Sequence, residues 1–88
     1  MFRIWAKIIK DNRLIKDLTI CDYSDETRTH KVFAALDKAC YEFDLEKPIW
    51  LDATIADFKR LGRARFTKDA FIEAVDFDFM EIQVIEED

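Results

Sequence analysis

Val32, Phe33, Leu36, Ala39, Cys40 and Phe43 recur at spacings of three and four, while Arg28, Lys31, Asp37, Lys38 and Glu42 take the opposite side. That is the period of an α-helix with one apolar stripe. Such a stripe is buried only against another apolar surface, so the rest of the chain must build one. It has the material: half of the 88 residues are apolar, with eight Phe and two Trp. A single Gly and a single Pro argue against linkers, disorder and loop-rich scaffolds. The reading is one domain, 1–88, with short connections.

Residues 2–10 and 13–22 read as two strands joined at Asp11-Asn12, residue types that tolerate positive φ. A two-residue loop pairs Ile8 with Ile15, Ile4 with Thr19 and Phe2 with Cys21, giving one mostly apolar face. The same register sets Lys7 against Lys16, which repel unless an acid lies near. The hairpin therefore needs a neighbour. A rival pattern exists on a helical wheel, where Phe2, Trp5, Ile8 and Ile9 gather opposite Arg3, Lys7 and Lys10, as in a membrane-surface helix. Three Ile, a Trp and the turn signal favour the strand. Arg3 and Lys7 interrupt the apolar run, so it is neither a signal-peptide core nor a membrane span.

Further along, Ser24 or Asp25 is the expected helix N-cap, with Glu26 in the first turn. Glu46-Lys47-Pro48 ends the helix and Ile49-Trp50-Leu51 reads as a short strand. Thr54 to Asp57 fits a capping box, which predicts a short helix with Ile55, Phe58 and Leu61 inward. Gly62 stands where a left-handed C′ residue belongs, and Thr67 caps a turn through Ala70 and Phe71. Phe77 to Glu86 alternates as a final strand, Met80, Ile82 and Val84 on one side, Phe79, Glu81, Gln83 and Ile85 on the other.

The expected class is α+β, in the order hairpin, long helix, short strand, short helical turns, C-terminal strand. This order of elements resembles the β-grasp (ubiquitin-like) architecture, in which the last strand lies parallel to the first. Other α+β arrangements of the same elements stay open. The chain ends in Glu86-Glu87-Asp88 rather than a Gly-Gly tail, so conjugation is not implied. The stretches YEFDLEKPIWLDATIADFKR and RFTKDAFIEAVDFDFMEIQVIEED, with the opening FRIWAKIIKDN, are similar to a family of small uncharacterised bacterial proteins found mainly in Firmicutes. That resemblance implies a bacterial, cytoplasmic setting and brings no activity or site residues with it.

Charge is distributed unevenly along a chain of net charge −5. Residues 1–16 carry five basic side chains and one acidic, 17–57 four and ten, 58–68 five and none, 69–88 none and eight. The basic run, FKRLGRARFTKD, holds Lys59, Arg60, Arg63, Arg65 and Lys68. Lys59 and Arg60 fall in the last turn of the short helix, where cations oppose the negative dipole end. Arg63, Arg65 and Lys68, interleaved with Phe66, remain as a candidate binding stretch. Nucleic-acid binding is one reading, since cations beside aromatics hold phosphate and stack on bases. An acidic protein opposes a polyanion at long range, however. An acidic protein partner fits the same stretch. Trp5 and Arg3, of types favoured at interfaces, are candidates to anchor a partner or a second copy.

Chemistry of other kinds finds little support. Asp76, Asp78 and Glu73 offer oxygen to a hard cation but lack a Gly-bearing calcium loop; solvated charges are the plainer reading. One His rules out a Cys/His zinc set, and His30 reads as a surface imidazole. Cys40 falls on the apolar helix face as a buried reduced thiol, and Cys21 is expected to be the same. Neither a GxSxG elbow nor a phosphate-cradling loop is present, so no catalytic residue, metal or cofactor is expected. The leading expectation is a cytoplasmic, non-enzymatic domain acting through protein contacts, with a homodimer joined along its sheet as one form. A nucleic-acid-binding or regulatory module using residues 59–68 is the alternative, and an enzyme stands third.

Overall fold

The computed structural model describes residues 1–87. Strands β1 (Phe2–Lys10) and β2 (Arg13–Asp22) are followed by helix α1 (Arg28–Glu42) and helix α2 (Asp52–Leu61). Strand β3 (Arg63–Thr67), a 3-10 turn (Lys68–Ala70) and strand β4 (Phe79–Glu86) complete the chain. One four-stranded sheet runs β2-β1-β4-β3, every neighbouring pair antiparallel. The α+β class is as the sequence indicates. The first and last strands are adjacent at the centre, but they run antiparallel, which differs from the parallel pairing of a β-grasp sheet.

Asp11 and Asn12 both take positive φ, 52° and 63°, the requirement of a twist-matched two-residue turn. The backbone N–H of Asp11 donates to the Asp78 carboxylate at 2.9 Å, and that of Asp78 to the Ile9 carbonyl at 2.9 Å. The turn is thus tied to the entry of β4. Beyond Ile9↔Leu14 the register shifts, and Ile8 pairs with Lys16. Ile15 is the extra residue of a β-bulge, which bends and twists the strand. Its consequence is large: Lys7 meets Asp17 and Ile4 meets Ile20, in place of the expected Lys7/Lys16 clash and Ile4/Thr19 pair.

One sheet face carries Phe2, Ile4, Ala6 and Ile8 of β1, Ile20 of β2, Ala64 and Phe66 of β3, and Met80 and Ile82 of β4, all buried. The stripe of α1 (Val32, Leu36, Ala39 and Cys40) packs with them as one core. Phe33, expected in that stripe, is 46 % exposed. Thr27, not Ser24 or Asp25, caps α1, its hydroxyl accepting from His30 N–H at 3.3 Å. Asp44 leaves the helix with φ 57°, before the expected Glu46-Lys47-Pro48 stop. Residues 49–51 belong to no strand; Ile49 N–H bonds Ala70 C=O at 2.7 Å and Trp50 packs partly buried against the core. Helix α2 begins at Asp52, two residues before the expected box, and Gly62 ends it with φ 71°. The strand that sequence periodicity missed is β3. No helix among the described residues is long and apolar enough to cross a membrane.

Candidate functional site

Alternation along the strands puts four of the five candidate binding residues on one surface. Arg3 and Trp5 of β1, and Arg63 and Arg65 of β3, point away from the buried set, onto the sheet face that no helix covers. Lys68 opens the 3-10 turn just past β3 and is exposed. Register links the outer pairs through the centre. Thr19, Trp5, Gln83 and Arg63 form one row across the four strands, and Asp17, Lys7, Glu81 and Arg65 form the next.

The second row alternates in sign, acid, base, acid, base. Glu81 receives Lys7 Nζ at 3.0 Å on Oε1 and Arg65 Nε at 2.8 Å on Oε2. It is only 5 % exposed, so a lone carboxylate here would be costly. Burial acts to raise its pKa, yet the hydrogen bonds and charges of Lys7 and Arg65 prevail and hold it below the ordinary value. Lys7 Nζ also stands 3.9 Å from the Trp5 ring centroid, and Trp5 Nε1 donates to Asp17 Oδ2 at 3.0 Å. Trp5 is thereby held in place on the open face, partly exposed. The Arg65 guanidinium lies 4.8 Å from the Phe79 ring, and Arg3 pairs with Glu86 at 3.4 Å.

The basic run is divided among separate tasks. Arg60 pairs with Asp57 at 3.1 Å, and Arg65 is taken up by Glu81. Arg63, Lys68 and Lys59 have no ion pair among the described residues. Phe66, interleaved with these cations, is fully buried and cannot stack on a base. Phe79 escaped the site reading because alternation gives its face and not its contact with Arg65.

β3 is also an edge strand. Val84 N–H donates to Gly62 C=O at 2.8 Å, and antiparallel bonding alternates from there. The backbone groups of Ala64 and Phe66 therefore face β4, while those of Arg63, Arg65 and Thr67 face outward. An outward row of N–H and C=O is a template for another strand.

Other candidates resolve as structural. His30 Nδ1 meets Glu26 at 3.2 Å on the surface. Asp78 holds the hairpin turn, and Asp76 lies 4.0 Å from Lys10. No cluster of three or more His, Cys, Asp or Glu suited to a metal occurs among the described residues. Cys40 is buried as expected, whereas Cys21 is exposed, because the bulge turns it onto the open face beside Arg3. Comparison with known proteins finds no matching family model, curated protein or solved structure.

Proposed function

We propose that this is a non-enzymatic protein-binding domain, and that its β3 edge takes an extended acidic segment of a partner protein. The observation that carries the reading is the conjunction at β3 of an open backbone edge with the unpaired cations Arg63 and Lys68. An added strand gains main-chain hydrogen bonds from the edge. Acids at alternate positions of that strand would lie opposite Arg63 and Arg65, as Glu81 already does to Arg65 from the other side. Trp5 and Phe79 extend the surface with aromatic area of the kind that anchors interfaces.

A second copy pairing along the same edge would set Arg65 near its own equivalent, and like charges directly opposed are unfavourable. The edge thus favours an acidic partner over self-association. Burial of Phe66 removes the stacking residue that a single-strand nucleic-acid site would use. The resemblance of the two long stretches to small bacterial proteins supports a bacterial cytoplasmic setting.

The test is an NMR titration with an extended peptide bearing Glu at alternate positions, against its Lys counterpart. The acidic peptide should shift the amides of Arg63, Arg65 and Thr67, and Arg63→Glu with Lys68→Glu should weaken it about fivefold or more. Shifts confined to the helices, or equal binding of both peptides, would refute the reading. Tighter binding to a DNA or RNA strand, falling steeply with salt, would put the nucleic-acid module in its place.

A further inference from the structure

We propose that the cleft between α1 and α2, on the opposite side of the sheet from the candidate interface, binds a small amphipathic carboxylate. Trp50 bridges the two helices, its ring centroid 6.0 Å from Phe33, 5.7 Å from Phe58 and 4.9 Å from Phe66. All three contacts are edge-to-face, a favourable geometry that fixes the floor in advance. Ile55 adds an aliphatic wall, and the space amounts to about 290 Å³. That is room for a short aliphatic chain or a single ring.

The mouth is chemically one-sided. The ionisable residues lining the cleft are Arg28 and Lys59, with no acid among them. Arg28 is engaged by Glu87 and lies 5.2 Å from the Phe58 ring. Lys59 has no ion pair among the described residues. Thr29, in the first turn of α1, adds a hydroxyl at the positive end of that helix's dipole. An apolar chain or ring therefore fits the floor while a carboxylate meets Lys59 at the rim. A cationic ligand would meet only the Glu87 carboxylate, which Arg28 already holds, and a neutral one would leave Lys59 unused.

Octanoate has the right size and charge, and 1-octanol is its uncharged control. In an NMR titration of the intact protein, octanoate should shift the Trp50 indole N–H and the Thr29 and Ile55 amides, and octanol should bind more weakly. Lys59→Glu, a change at an exposed position, should weaken octanoate about fivefold and octanol less than twofold. Thr29→Trp, which crowds the cleft from its rim, should abolish both while the sheet resonances stay in place. Absence of shifts with either compound would overturn the proposal. So would octanol binding as tightly as octanoate with no effect of Lys59→Glu. Neither outcome touches the β3 edge, which lies elsewhere on the domain.

Discussion

Lys7 and Glu81 face each other across the two central strands, ammonium 3.0 Å from carboxylate, on the side of the sheet away from the helices. Both are shielded, at 14 % and 6 % side-chain exposure, although the face they occupy is the polar one. Arg65, 57 % exposed, donates to the other carboxylate oxygen.

Replacing Glu81 by Gln should therefore cost more than a surface substitution. It leaves Lys7 half-satisfied and Arg65 without its counter-ion, a loss of about 1–3 kcal/mol. For a domain of this size each kcal/mol lowers Tm by about 4–8 °C. Thermal and urea unfolding of the variant measure this, and an unchanged midpoint would reduce the row to ordinary surface electrostatics.

Acid should reveal the same carboxylate. Its pKa is depressed on folding, so its stabilisation is complete above the unfolded value of about 4.3 and is lost as pH falls through the lower folded value. The stability gap between the native protein and Glu81→Gln should be constant from pH 7 to about pH 5 and narrow below about pH 4. Urea midpoints across that range provide the check; a gap that widened in acid would contradict the assignment.

The two thiols should separate cleanly. Burial, with a smaller contribution from the Asp37 charge against an opposing one from Lys47, pushes Cys40 up to about 11. The thiolate is the reactive form, so near pH 8 a maleimide or iodoacetamide should modify exposed Cys21 alone. Cys40 should react only in denaturant. Mass spectrometry of labelled fragments distinguishes the two.

Gly62 offers a test of pure backbone cost. Its φ is 71°, and a Cβ added there would meet nothing within 4 Å. Gly62→Ala should then destabilise by about 1–2 kcal/mol through conformation alone. Gly62→Asn should recover part of it, because Asn tolerates the left-handed region better. Equal stability of all three forms would mean that the α2–β3 junction relaxes freely.

Long periodic segments proved legible, and short ones did not. The stripe from Val32 to Phe43 placed α1, and Gly62 marked the end of α2 because few other residues adopt that φ cheaply. β3 escaped notice because only Ala64 and Phe66 of its five residues are apolar, too few to establish a period of two. Its arginines stood out as charge before they could be seen as one strand face. Ile49-Trp50-Leu51 has the residue types of a strand but serves as an aromatic plug. Trp5 and Arg65 stand out in the sequence as interface candidates, yet the bulge at Ile15 decides which neighbours that face receives. Local composition carries no sign of that bulge.

The alternating row Asp17, Lys7, Glu81 and Arg65 also distinguishes one register of the central strands from its neighbours. Sliding β4 by two residues against β1 keeps the buried apolar side chains on the core side, so hydrophobic patterning alone would tolerate the error. In that slipped state Glu81 would sit opposite Trp5 or Ile9 instead of Lys7. Glu81 would keep Arg65 of β3 but lose Lys7, and the shielded Lys7 would lose its acid, so the faulty pairing is penalised by electrostatics where greasiness is blind.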